Sequence, residues 1–157
     1  MALIHTIGYE KRTLAEYIGL LQDAGVTLVV DVRQVAWSHK PGFSKSAFQR
    51  ELAAAGIGYV HAAFAGNPKA LRVGASSHAE VLARYRRHLE SRPDVVDQLE
   101  AELYLPLLLG EVPALTCFER HPDDCHRSIL AAAWADRDPT RQVVHLAGDG
   151  CARWVRA

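Results

Sequence analysis

Residues 27–33 read TLVVDVR, and this stretch decides the fold class. It is apolar without interruption up to Asp31 and then turns charged, the pattern of a central strand covered on both faces whose end emerges at a rim. Upstream, residues 13–25 (TLAEYIGLLQDAG) have helical period. Thr13 and Glu16 are spaced as a capping box, Leu14, Tyr17, Ile18 and Leu21 share one face, and Gly25 is the stop. Downstream, residues 45–56 (KSAFQRELAAAG) predict a second helix, with Ser44 as cap and Gly56 as stop, and residues 57–63 (IGYVHAA) predict another strand. Residues 2–8 (ALIHTIG) are the strand candidate ahead of the first helix.

The alternation continues to the end of the chain. Ser77 and Glu80 form a further capping box that opens a helix through Leu82, Tyr85 and Leu89, and Pro93 and Pro106 bracket a helical piece carrying Val96, Leu99 and Leu103. Residues 114–118 (ALTCF) and 142–147 (QVVHLA) read as the last two strands. Between them, residues 127–135 (RSILAAAWA) form a helix whose Ile129, Leu130, Ala133 and Trp134 can face the sheet. The expected architecture is one α/β domain over residues 1–157, a three-layer sandwich with a mostly parallel sheet of about five strands and helices on both faces.

Composition narrows the function classes. A chain of 157 residues can bury a sizeable core without disulfides or metals. Lys plus Arg (18) equals Asp plus Glu (18), so the broad basic footprint of a protein living on duplex nucleic acid is missing. Three Cys is an odd count, and no leader-like segment opens the sequence, so a cytoplasmic location is expected and a secreted disulfide framework is not. Apolar runs such as residues 104–110 (YLPLLLG) fall far short of the roughly 20 residues that cross a bilayer, and no membrane partner is expected.

Ligands of parallel α/β sheets bind beyond the carboxyl ends of the strands, and the odd polar residues of this chain fall there. GYEKR (8–12) follows the first strand, DVRQVAWSHKPGFSK (31–45) contains the end of the second, FAGNPK (64–69) follows the third, and ERHPDDCHR (119–127) follows the fourth. The opposite connections, such as DAGV and AAGIG, are short and bland. Tyr9, Glu10, Asp31, Arg33, Ser38, His39, Lys40, Lys45, Asn67, Lys69, Glu119, Cys125, His126 and Arg127 are thereby gathered on one rim.

The motifs TIGYEKRTL (6–14), VDVR (30–33), HKPGFSK (39–45), AGIGYVH (55–61) and CFERHPDDCHRS (117–128) resemble, in that order, those of the domain of unknown function 488 family. The resemblance implies a compact α/β domain and a rim site, with no reaction attached. The chain departs from the family pattern at His39, where Arg is usual, at Ala36, where Pro is usual, and at Ala65, where Leu is common.

Several of these residues have plain structural readings. Asp31 and Arg33 alternate onto the same side of a strand and can form an ion pair. His5, His61 and His145 lie within strands as core or edge histidines, Cys117 reads as a small buried hydrophobe, and the GDG at 148–150 reads as a turn. In ERHPDDCHRS, His121 fits a cap, Pro122 a first helical turn, and Asp123 and Asp124 the positive pole of the helix. Glu119, Cys125, His126 and Arg127 are left over, and three chemistries use them. Cys125 at a helix start beside His126 and Arg127 is a candidate nucleophile, expected to be the most accessible of the three thiols. A metal set of His121, Cys125 and Glu119 is sterically open, but without a CxxC or HxxxH pair no metal is expected. Anion recognition, with first-turn N–H groups plus Arg127, Arg33 and Lys45 on a phosphate, uses the most residues.

The reading that follows is an enzyme acting on a small anionic ligand, a phosphate-bearing substrate such as a nucleotide or a nucleic-acid end. Glu119, Cys125, His126 and Asp31 are its catalytic candidates, and Tyr9, Glu10, Arg33, Ser38, Lys45, Asn67 and Arg127 its binding candidates. No cofactor and no oligomeric state is defined by the sequence. The alternative is a module that binds nucleotides or single-stranded nucleic acid without catalysis, with Trp37, Tyr9 and Phe43 as stacking surfaces.

Overall fold

The computed structural model describes residues 1–148 in full and the backbone of the strand at Ala152–Val155. Six strands form one sheet: β1 (Ala2–Gly8), β2 (Leu28–Asp31), β3 (Gly58–His61), β4 (Pro113–Cys117), β5 (Arg141–Leu146) and β6 (Ala152–Val155), in the order β3-β2-β4-β1-β5-β6. The first five are mutually parallel, and β6 pairs antiparallel with β5. The α/β class and the five parallel strands are as the sequence predicts, and β6 is additional. Cys151 and most of the GDG turn lie outside the described residues.

Helices α1 (Leu14–Asp23) and α2 (Lys45–Ala54) cover one face. Tyr17, Leu21, Phe48 and Leu52 pack there against Ile7, Val29 and Ala114. The long loop after β3 contains a 3-10 turn at Ala63–Ala65 and α3 (Lys69–Arg72). The other face carries α4 (His78–Ser91), α5 (Pro93–Leu108) and α6 (His126–Ala135), whose Tyr85, Leu89, Leu99, Leu103, Leu130 and Trp134 pack on Ile4, Val30 and Leu115. Adjacent residues Val29 and Val30, or Ala114 and Leu115, go to opposite cores because successive strand side chains alternate. Both faces being covered is why 28–30 reads as a continuous apolar run.

The helix starts follow the capping chemistry with two variations. Thr13 and Glu16 make the full reciprocal box. Ser77 caps α4 by accepting from the Glu80 N–H, but the Glu80 carboxylate turns to Ser76 and Arg84. Ser44 occupies the cap position of α2, yet its hydroxyl donates to the Ser38 carbonyl and accepts from the Ser38 N–H, tying the β2–α2 loop to itself. Pro106 does not end α5, which runs two residues further. The amide it lacks falls in the last turn, and its own carbonyl accepts from Leu109 and Glu111.

The segment after β4 departs from the expected single helix. Pro122–Asp124 form a separate 3-10 turn, Cys125 is extended, and α6 begins only at His126. Cys125 therefore sits at the cap of α6, and Ser128 Oγ joins the two pieces by donating to the carbonyls of Pro122 and Cys125.

Candidate functional site

The chain leaves β1 toward β2 on one side of the sheet and leaves β4 toward β5 on the other, so the carboxyl ends of β1, β2 and β4 flank a switch in winding direction. A pocket of about 610 Å³ opens there. Buried Tyr9, Arg33, Cys117 and His126 form its inner part together with Glu119, and exposed Trp37, His39, Arg72 and Phe118 its outer part.

Two glycines allow the walls to close this tightly. A Cβ on Gly8 would lie 1.8 Å from the Glu119 carbonyl oxygen, and one on Gly66 would lie 2.4 Å from the Gln34 backbone. The loop after β4 is thus pressed against the end of β1. Glu10 holds it further, its N–H donating to the Phe118 carbonyl and its carboxylate accepting from the Arg120 N–H. Arg127 completes the clamp: its buried guanidinium donates to the carbonyls of Glu119 and Arg120 and to Thr6 Oγ1.

Asp31 and Arg33 make the ion pair that their spacing suggests. Arg33 Nε donates to Asp31 Oδ1 at 2.8 Å and Nη2 to Oδ2 at 2.6 Å, with the two side chains 6% and 0% exposed. Oδ1 also accepts from the Arg33 N–H and Oδ2 from the Tyr59 hydroxyl, while Arg33 Nη1 donates to Tyr9 Oη and the Phe43 carbonyl. Arg33 presents one edge to the pocket, and Asp31 lies beneath it.

On the other side of β2 lies a cluster of Cys117, Cys125 and His126, whose ligand-capable atoms all fall within 4.8 Å of one another. His126 Nε2 donates to the Val32 carbonyl at 2.9 Å, and Nδ1 faces both sulfurs, 3.7 Å from Cys117 and 3.9 Å from Cys125. Burial opposes ionisation of Cys125, but hydrogen bonds from Cys117 and His126 and the charge of Arg127 outweigh it and hold the thiol well below its ordinary range. Cys117 is pushed up, first by its hydrogen bond to Cys125 and then by burial. Burial would lower His126, but hydrogen bonding to Cys125 and the Cys125 charge raise it. Burial, followed by the charge of Cys125, pushes Glu119 up to about 7, and Glu119 Oε2 is buried with no hydrogen-bond partner among the described residues.

Of the expected site residues, the structure brings Tyr9, Arg33, Ser38, Asn67, Glu119 and His126 into the pocket lining; Asn67 Oδ1, like Glu119 Oε2, is buried without a partner among the described residues. Asp31, Cys125 and Arg127 stand behind that lining, Glu10 braces it, and Lys45 is exposed at the start of α2 outside it. Two expectations are corrected. Cys125 is not an accessible thiol: it is 0% exposed, because the extended residue between the 3-10 turn and α6 points its sulfur into the core under Tyr85 and His126. Tyr9 and Phe43 are not stacking surfaces: they are stacked on each other in the core, 4.4 Å between centroids, and only Trp37 of the three is exposed. The potential ligand groups that gather are Cys117, Cys125 and His126, whereas His121 is exposed.

Sequence reasoning missed Cys117 as a site residue, although its place at the last position of β4 was a usable signal. It also left out Arg72, for which a four-residue helix gives no periodic signal. The arrangement is a doubly covered, mostly parallel sheet with a pocket at its winding switch, equipped with a carboxyl whose Oε2 has no hydrogen-bond partner among the described residues, two thiols and an imidazole. The chain belongs to the family described as domain of unknown function DUF488, whose model matches residues 13–134. No curated protein and no solved structure matches it.

Proposed function

We propose that the chain is an enzyme acting on a small anionic, phosphate-bearing substrate at this pocket, with Glu119 as its acid–base group. The observation that carries the reading is the pairing of charge around Glu119. Among the described residues it is the only acidic one lining the pocket, its Oε2 is buried without a partner, and Arg33, Lys40 and Arg72 line the same space. A lone carboxyl in a desolvated cavity among cations suits proton transfer on a substrate whose charge the cations hold. Lys40 Nζ donates to the Tyr9 carbonyl at 2.7 Å, and burial, the main influence on it, lowers its pKa, so it is drawn against the pocket wall. The alternative of a stacking module keeps only Trp37, which stands edge-on to His39 at 4.3 Å between centroids.

The test is a thermal-shift screen of phosphate-bearing metabolites at low salt. A ligand at about a hundred times its dissociation constant stabilises by about 2.7 kcal/mol, a shift of several degrees. The expected result is a shift for the wild type that is cut at least tenfold in affinity by Lys40→Met or Arg72→Met, each removing a charged hydrogen bond of about 1.5–3 kcal/mol. Glu119→Gln is expected to keep the shift and lose turnover of the same ligand. Absence of any anion-induced shift in the wild type would overturn the proposal.

A further inference from the structure

The structure assigns a zinc-class metal site to Cys117 Sγ, Cys125 Sγ and His126 Nδ1, with the fourth coordination position open to the pocket. Three independent features carry it. The first is spacing. In tetrahedral coordination with Zn–S near 2.3 Å and Zn–N near 2.0–2.1 Å, a ligating sulfur and nitrogen stand about 3.6 Å apart. The two S···N separations here are 3.7 and 3.9 Å, and all three donors fall within 4.8 Å of one another. The donors already outline one face of a tetrahedron before any ion enters.

The second feature is the orientation of the imidazole. The Val32 carbonyl can only accept, so His126 Nε2 carries a hydrogen, and Nδ1, aimed at both sulfurs, offers its lone pair to an ion once its own proton is displaced. A backbone carbonyl fixing the distal nitrogen is the usual support of a metal-binding histidine. The third is placement. All three residues are buried, yet Cys117 and His126 line the pocket and Cys125 does not. An ion at the centre of the three donors therefore has protein behind it and the pocket in front, which Glu119 also lines with an Oε2 that has no hydrogen-bond partner among the described residues. Two sulfurs and an imidazole favour zinc over hard cations such as magnesium or calcium, and three protein ligands with one open position is the arrangement of a reactive rather than a purely structural site. Both sulfurs bind as thiolates and the imidazole as the neutral ring, so any protons still on the sulfurs and on Nδ1 leave to solvent on loading. The buried guanidinium of Arg127, against the Glu119 and Arg120 carbonyls, adds compensating positive charge beside them.

The inference goes beyond the proposed function and is read without any substrate. Wild-type protein purified under reductant from zinc-supplemented medium is analysed for metal by mass spectrometry, then reloaded with Co²⁺ and examined by visible absorption. The expected result is about one metal ion per chain, with thiolate-to-cobalt charge transfer and the intense bands of tetrahedral cobalt. Cys117→Ser and Cys125→Ser should each lose the charge-transfer band in large part, and chelation should lower the wild-type melting temperature. Glu119→Gln should retain the metal, since the carboxyl faces the open position without supplying a ligand. Metal-free wild type that acquires no cobalt–thiolate band overturns the site, whether or not the serine variants fold, as does a Cys117–Cys125 disulfide in place of bound metal. Loss of metal from Glu119→Gln overturns the open fourth position.

Discussion

Replacing Asp31 by Asn should destabilise the protein more than any other isosteric change at the pocket. The carboxylate is fully buried and receives four hydrogen bonds, three of them from Arg33 and one from the Tyr59 hydroxyl. The amide would keep the shape of the carboxylate but leave the Arg33 guanidinium, itself 6% exposed, without a counter-charge in the interior. Breaking one partner of such a pair costs about 3–5 kcal/mol, because the remaining charge stays buried and uncompensated. For a domain of this size each kcal/mol lowers the melting temperature by about 2–4 °C, so a fall of about 6–20 °C is expected. The assay is urea denaturation of wild type, Asp31→Asn, Arg33→Met and the double variant, analysed as a double-mutant cycle. Since the double variant removes both charges, it should be less destabilised than the sum of the singles, with an interaction energy of about 2 kcal/mol. A cost below about 1 kcal/mol for Asp31→Asn, or strict additivity in the cycle, would refute the claim that this pair is a desolvated support of the strand end.

Two further outcomes are expected. Gly8→Ala places a methyl carbon 1.8 Å from the Glu119 carbonyl oxygen, so the loop after β4 must shift, at a cost of about 1–3 kcal/mol in urea denaturation together with loss of the anion-induced thermal shift; retention of both would show that the loop is not held against β1. Burial, followed by the charge of Arg127, lowers His145 from 6.5 to about 4, and Thr6 Oγ1 contacts its Nδ1 at 2.6 Å. The folded protein thus favours the neutral ring: this contribution is fully present above pH 6.5 and lost as pH falls toward 4. His145→Gln should flatten the acid side of the stability profile in that window, and an unchanged slope would contradict the assignment.

What was legible in the sequence, and what was not, follows from the range of each signal. The parallel sheet was readable because runs such as 28–31 and 113–117 are apolar on both faces, which only double coverage explains. The Thr13 box and the Ser77 cap were readable because capping acts over three residues. Pro106 misleads because a proline within the last three residues of a helix removes a single backbone donor, and α5 runs on only to Leu108. At the rim, Glu119 and Arg33 could be placed from their positions two residues past the ends of β4 and β2, and His126 from the motif that opens α6. Cys125 was placed correctly in the chain but wrongly in space, since residues 122–128 carry the same proline and acidic signals whether they form one helix or a 3-10 turn followed by a second start.

The alternation of β2 separates structural charge from reactive groups, and this bears on which carboxyl does chemistry. Val29 belongs to the core under α1 and α2, and Asp31 and Arg33 follow it to that side, among Tyr9, Phe43 and Tyr59. Val30 and Val32 face the core of α4, α5 and α6, which also contains Cys117 and Cys125, and the Val32 carbonyl fixes His126. The two groups meet only at the rim, where Arg33 and His126 line the same pocket. Both oxygens of Asp31 are already occupied by donors, so using it as a base would require breaking a buried ion pair. Glu119 has an oxygen free of protein partners among the described residues and lies beside the thiol and imidazole groups. On the proposed reading, proton transfer at this rim falls to Glu119, with Asp31 and Arg33 as the strut that keeps the end of β2 in place.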